Sequence, residues 1–251
     1  MRRYLASAAA VGTALLLAGP VMAADMPEYP EIPEVDYDIG GSFYLRGSAA
    51  LNIHWAPEVK HPWDADDIDP IVEYGYGYSW GAGFGYETGT GLRFDGTIDS
   101  VETKGLMITK TGPLPPAGDA GDYTLMLRST VALANVYYDF GLGGDFSYSS
   151  GAGGAFGYVG AGAGVAWNHA EINSPLGVTQ PVPTGGNVSA AAAVMAGVGY
   201  DMGSWVADVG YRGLYINQIN NSPTDSATES YYEIDNNWIH ELRGTVRYRF
   251  N

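Results

Sequence analysis

Three groups of side chains in this sequence have types and spacings that could do chemistry. The first is HPWDADDIDP, which puts His61, Asp64, Asp66, Asp67 and Asp69 in one short stretch. An oxygen-rich cluster of this kind suits calcium or magnesium. The stretch has neither the glycine nor the closing glutamate of an EF-hand loop, so it reads as a solvated acidic loop and no metal is assigned. The second group is His169 with Glu171, which share one face of a strand, and His240 in the last run. A Ser-His-acid lipid hydrolase on the outer wall of a barrel would need such residues together with a nucleophile. No serine stands in an evident nucleophile position beside them, so no catalytic residue is assigned, and hydrolysis of lipid remains a remote alternative.

The third group is the most extensive. Arg46, Arg93, Arg128, Arg212, Arg243, Arg247 and Arg249 all fall inside runs with strand periodicity, while Lys60, Lys104 and Lys110 fall in the connections. Glu87, Asp95, Asp99, Asp208 and Glu241 are assigned to the same face as the arginines. An exposed surface usually mixes lysine with arginine. Arginine by itself suits a confined interior, where its planar fork grips a carboxylate at two points. These twelve residues are therefore expected to form one lumenal charge network, with Asp95, Asp99 and Asp208 as the candidate partners of Arg46.

The elements that must position them are strands. From Gly41 onward the apolar residues recur with a period of two. Phe43, Leu45, Leu51, Ile53 and Trp55 share one face of the first run, opposite Tyr44, Arg46, Ser48, Asn52 and His54. The run YGYGYSWGAGFGYE alternates aromatic residues with glycines and serine. Six more runs follow, near 92–103, 123–138, 156–172, 189–202, 205–217 and 238–250, for eight in all. Short turns at 88–91 and 201–204 alternate with long polar connections around 56–73, 104–122, 173–188 and 218–237. The stretch 139–155 should be a short turn yet is long and rich in Gly and Ser.

An even number of alternating strands fits a closed antiparallel barrel, and the aromatic residues indicate which way it faces. Phe43, Tyr86, Phe94, Tyr137, Tyr200, Trp205 and Tyr248 fall on the apolar face at the short-turn ends. Trp55, Tyr74, Tyr123, Trp167, Tyr215 and Trp238 fall at the long-connection ends. Two aromatic girdles flanking Ala, Val and Leu are what a membrane-spanning barrel presents at the two interfaces, whereas a soluble core would hold its rings mid-strand. The fold expected is an all-β, closed eight-stranded antiparallel transmembrane barrel over 41–251. Eight strands leave an interior just wide enough for side chains. The charge network is then expected to plug the lumen, and a narrow porin or ion channel for small solutes is the alternative.

The beginning of the chain reads as an export signal. Arg2 and Arg3 precede the apolar run Leu5–Leu17 and the small-residue site Val21-Met22-Ala23, so 1–23 is expected to be a secretory signal peptide. Residues 24–40 hold three Pro-Glu steps in register and read as an extended acidic periplasmic linker. The formal net charge is −16, which argues against nucleic acid as a partner. The sequence has no cysteine, so disulfides contribute nothing to its stability. No cofactor is implied.

The segments YLRG at 44–47, NVYYDFGLGG at 135–144, YVGAGAGVAW at 158–167, DVGYR at 208–212 and the ending LRGTVRYRF resemble the opacity-protein/OmpA-like eight-stranded outer-membrane barrels, particularly those of alphaproteobacteria. The likeness runs from Gly41 to Phe250. It implies a porin-family protein in the outer membrane of a Gram-negative bacterium, surrounded by lipid and lipopolysaccharide. The role it implies is envelope integrity or adhesion, with host or cell-surface ligands reached through the long loops. It also implies insertion by the outer-membrane assembly machinery, with Tyr248 and Phe250 as the assembly signal. Family members commonly end on the aromatic residue itself, whereas Asn251 follows Phe250 here. A peptidoglycan-binding domain of the OmpA kind is not expected after the barrel.

Overall fold

The computed structural model describes residues 41–56, 58–61, 64–110, 121–142, 153–173, 185–221 and 233–250. The stretches expected to be a signal peptide (1–23) and an acidic linker (24–40) lie outside the described residues. Alternation of side chains about an extended backbone produces ten strands: β1 (Ser42–Trp55), β2 (Glu58–His61), β3 (Asp64–Glu73), β4 (Gly75–Glu87), β5 (Leu92–Lys110), β6 (Gly121–Gly141), β7 (Gly154–Asn173), β8 (Gly185–Asp201), β9 (Trp205–Asn220) and β10 (Glu233–Phe250). All pairings are antiparallel, and eight of the strands close into a ring in the order β1-β4-β5-β6-β7-β8-β9-β10, with β10 returning to β1. Closure leaves no edge strand around this ring, so every strand in it has a partner on both sides.

The stagger of the ring follows from the pairings. Phe43 faces Tyr86, then in turn Phe94, Val136, Ala161, Val194, Gly213 and His240. His240 in turn faces Ile53, ten residues along β1 from the starting point. A stagger of this size for eight strands requires the strong tilt of about 35–45° typical of small barrels. With a rise near 3.3 Å per residue, that tilt places Phe43 and Trp55 roughly 30 Å apart along the axis.

The strands run farther than their sequence periodicity indicates. β5 continues to Lys110 and β10 begins at Glu233, within stretches expected to be loops. Gly105, at φ +80°, carries a bulge where the β5–β6 register shifts between Thr103 and Leu106. Past the bulge the inward parity of β5 changes, so Leu106 and Ile108 are buried. The connection 56–73, expected to be an irregular loop, instead forms the β2–β3 hairpin. It pairs with β10 on one side and β5 on the other, taking the places that β1 and β4 vacate where they stop.

The barrel is inverted relative to a soluble one. Leu51 is 71% exposed and Leu45, Ile53, Trp80, Phe84, Ile98, Val194 and Leu242 are also exposed, whereas the arginines and carboxylates of the opposite faces are buried. Hydrocarbon is the environment in which such a belt is stable, and the chain is a transmembrane β-barrel. At the turn end, Phe43 stacks on Phe84 at 5.5 Å and Trp205 packs on Tyr248 at 4.9 Å. At the other end Tyr215 packs on Trp238 at 5.2 Å.

One strand is inverted relative to the expectation. On β6 the apolar row Tyr123, Leu125, Leu127, Val131, Leu133 and Tyr137 faces the lumen, and Thr124, Met126, Arg128, Val136 and Tyr138 face outward. This single change of parity corrects three assignments. Tyr123 and Tyr137 are only 2% and 3% exposed and belong to the interior rather than to the girdles. Arg128 lies on the outer wall with its side chain 52% exposed. The physical reason is that both rows of β6 are largely apolar, so hydrophobicity alone does not tell them apart.

Candidate functional site

Glycine makes the lumen wide enough on one side. The inward row of β4 is Gly75, Gly77, Ser79, Gly81, Gly83, Gly85 and Glu87. A Cβ on Gly81 would collide with the Asp99 carboxylate, and one on Gly85 with the Tyr44 ring. Long side chains from β1, β5, β9 and β10 fill the space this row leaves open.

Six arginines project into that space in three tiers. Nearest the turns, Arg249 donates to both carboxylate oxygens of Asp201, at 2.8 and 2.7 Å, and to the Gly203 carbonyl at 2.8 Å. It also donates to Glu87 at 2.7 Å, and Glu87 in turn pairs with Arg247. Arg93 grips Asp139 at two points, 3.0 and 2.9 Å, with its guanidinium 4.0 Å from the centre of the Tyr137 ring. Arg247 lies over the Phe156 ring at 5.4 Å, with Asp208 3.8 Å from its Nε.

In the middle tier Arg46 donates to Asp95 at 2.8 Å and to the Tyr137 hydroxyl at 2.9 Å. Asp95 also accepts from Tyr44 at 2.9 Å and from Asn135 at 2.7 Å. Of the three candidate partners of Arg46, the structure selects Asp95. Asp208 instead accepts from Tyr158 at 3.2 Å.

The third tier is a closed quartet. Asp99 receives Arg212 and Arg243, each at 2.7 Å. Glu241 receives Arg212 at 2.5 Å and Arg243 at 2.9 Å. Ser79 donates to the other oxygen of Glu241 at 2.5 Å, and Arg243 donates to Ser48 at 2.6 Å. Each cation therefore meets two anions and each anion two cations, which is the arrangement that offsets the desolvation of buried charge.

Immediately beyond the quartet the lumen turns apolar. Val101 follows Asp99 by two residues, Leu214 and Ile216 follow Arg212, and Ile239 precedes Glu241, so all share the inward face. With Val131, Ala166 and Ala191 they form a buried collar. Farther out comes a polar layer in which His54 contacts Asn237 at 3.0 Å, Ser129 donates to Asn168 at 2.7 Å, and Asn168 and Asn187 both donate to the Gln218 carbonyl. Between the tiers, Arg46, Arg93, Tyr158, Asp208, Arg212 and Arg243 help to line a cavity of about 10 Å³, room for roughly one water.

Eleven of the twelve charged residues expected in the lumen therefore lie there, and Arg128 does not. Asp139 and Asp201 are the carboxylates that sequence reasoning missed, because both were assigned to connections. The inward parity of Gly199 extends to Asp201 and could have found it, whereas Asp139 shares the row of Tyr137, which the sequence pattern places outward. Tyr44, Asn135, Tyr137 and Tyr158 were missed as polar partners. Of the residues expected in the girdles, Phe43, Trp55, Tyr74, Phe94, Trp167, Tyr200, Trp205 and Tyr248 are exposed on the outer wall, and Tyr86, Tyr215 and Trp238 are half-buried on it.

The other two groups remain apart from the lumen. His169 faces outward, 3.5 Å from Glu171, and His240 faces outward with its Nδ1 2.6 Å from the Tyr211 hydroxyl. The side chains of His61, Asp64, Asp66, Asp67 and Asp69 lie outside the described residues. Among the described residues no three metal-binding side chains converge.

No family model and no curated protein matches the chain. Solved structures similar to it include Neisserial surface protein A, with 22% identity over 84% of this chain and 99% of that one and a TM-score of 0.48. Another is the outer membrane protein OprG of Pseudomonas aeruginosa, with 14% identity over 84% of this chain and 97% of that one and a TM-score of 0.46. A third is Ail, the attachment invasion locus protein of Yersinia pestis, solved with a heparin analogue. It has 14% identity over 84% of this chain and 100% of that one, at a TM-score of 0.36. At these scores the fold assignment rests on the strand ring and its registers.

Proposed function

We propose that this barrel resides in the outer membrane of a Gram-negative cell, where it serves envelope structure or surface attachment and does not conduct ions. The observation that carries the reading is the sequence of layers across the lumen. The quartet of Asp99, Glu241, Arg212 and Arg243 is internally matched, so it offers no free row of one charge for a permeating ion to follow. The apolar collar above it raises a second barrier, because an ion crossing a narrow hydrophobic constriction must shed its water. The export signal at the beginning of the sequence supports delivery beyond the inner membrane. The long connections at one end of the barrel supply the surface for attachment. The outer-wall histidines contact a carboxylate and a phenol, and neither contact supplies a hydrolytic nucleophile of the serine type.

Planar-bilayer recording tests the reading. The purified chain should insert without producing single-channel currents under an applied potential. Steady ohmic steps would overturn the plugged-barrel reading and favour a narrow pore.

A further inference from the structure

The outward parity of Arg128 places a cation where the outer wall is otherwise almost free of charge. Between the girdles, the outward faces of β1, β4, β8 and β9 carry no charged residue, and β10 carries only His240. On β5–β7 the picture differs. The pairings put Tyr78, Glu102, Arg128 and His169 side by side in one row across four strands. Lys104 lies two residues beyond Glu102 on the same face, directly opposite Tyr76. Trp167 lies two residues from His169 toward the turn end. Lys104, Arg128 and His169 are all exposed, as are Tyr76 and Trp167. This arc thus joins three basic side chains to the aromatic girdle at the long-connection end.

Glu102 leaves the Arg128 donors available, and His169 has Glu171 3.5 Å from its Nε2. Glu102 accepts a hydrogen bond from Tyr78 at 2.9 Å. Its contact with Arg128 is 3.8 Å, longer than a hydrogen bond. The Arg128 fork is therefore not used up by Glu102, yet the nearby charge orients it.

We infer that Lys104, Arg128 and His169 hold the phosphate group of a lipid in the membrane leaflet at the long-connection end. The strand register sets a planar guanidinium between an ammonium and an imidazole on neighbouring strands, donors of the kind that a phosphate accepts. The neighbouring aromatic rings suit the boundary between headgroup and hydrocarbon, where that phosphate sits. Glu102 and Glu171 offset much of the positive charge, so recognition depends on the directed donors rather than on bulk attraction. The site depends on the membrane-barrel reading and is independent of whether the lumen conducts.

The test uses the full chain in detergent micelles, titrated with bisphosphorylated lipid A and with the same lipid after phosphate removal. The wild-type chain should prefer the phosphorylated form. The combined substitution Lys104→Gln and Arg128→Gln should weaken its binding about tenfold, the expected effect of losing charge-assisted donors. Arg128→Lys should give an intermediate loss, because it keeps the charge and discards the fork. Both variants should retain the heat-dependent gel migration of the folded barrel, since neither residue packs in the lumen. Equal affinity of the double variant and the wild type would overturn the site. Full displacement of the lipid by millimolar inorganic phosphate would overturn the lipid as the source of the phosphate. Failure of the wild-type chain to insert into vesicles would instead overturn the membrane reading on which the site rests.

Discussion

Arg46 shows how one buried charge is held. Its partner Asp95 also accepts from Tyr44 and Asn135, so the carboxylate has three donors, two from β1 and one from β6. Replacing Arg46 by alanine leaves Asp95 buried with two neutral donors and no counter-charge. Breaking a buried pair in this way typically costs about 3–5 kcal/mol in a dry interior, and less where water reaches it. The expected outcome is a lower heat-unfolding temperature in detergent for Arg46→Ala. Replacing Arg46 by methionine and Asp95 by leucine together should recover part of the loss, since the uncompensated charge is then gone. An unchanged midpoint for Arg46→Ala would show that the pair contributes nothing to stability.

At the scale of the element, β1 and β4 were legible from their residues and β6 was not. In β1 and β4 the two rows differ sharply in chemistry, aliphatic or aromatic against polar or glycine, so only one orientation suits a lipid wall. In β6 both rows are mostly apolar, and the row richer in leucine faces inward because the lumen above the quartet is itself apolar. Tyr137 and Asp139 are then positioned to meet Arg46 and Arg93. Labelling can check this parity, because the sequence has no cysteine to interfere. Arg128→Cys and Tyr138→Cys, introduced one at a time, should react with thiol reagents in the folded protein, Arg128→Cys also with a water-soluble one. Tyr137→Cys should react only after unfolding. Reaction of Tyr137→Cys in the folded barrel would reverse the assignment of the strand. The extended ends of β5 and β10 were hidden for a related reason. They continue past the belt into water, where an outward polar row looks like a loop.

For the whole molecule, two barriers in series are expected to close the lumen. Replacing Asp99, Glu241, Arg212 and Arg243 together by alanine removes the matched quartet and leaves the apolar collar. Such a variant should still pass no current in planar bilayers. Adding Leu214→Gly and Ile216→Gly should admit water to the collar and produce measurable steps. Current from the quartet variant by itself would show that the charges alone seal the barrel.

The sequence by itself determined the class of the molecule. A period of two, eight runs, aromatic residues at strand ends and arginines opposite the apolar row are local properties of the chain, and they survive without knowledge of which strands meet. The partner of each arginine is not local. Arg46 and Asp95 belong to β1 and β5, which are not neighbours in the ring and meet only across the interior, over the glycine row of β4. The stagger of the ring sets which tiers face one another, and only the closed tertiary structure supplies it. Arg128 belongs to that second class. Its identity indicated a carboxylate partner in the lumen, and the closed ring put it on the lipid-facing wall.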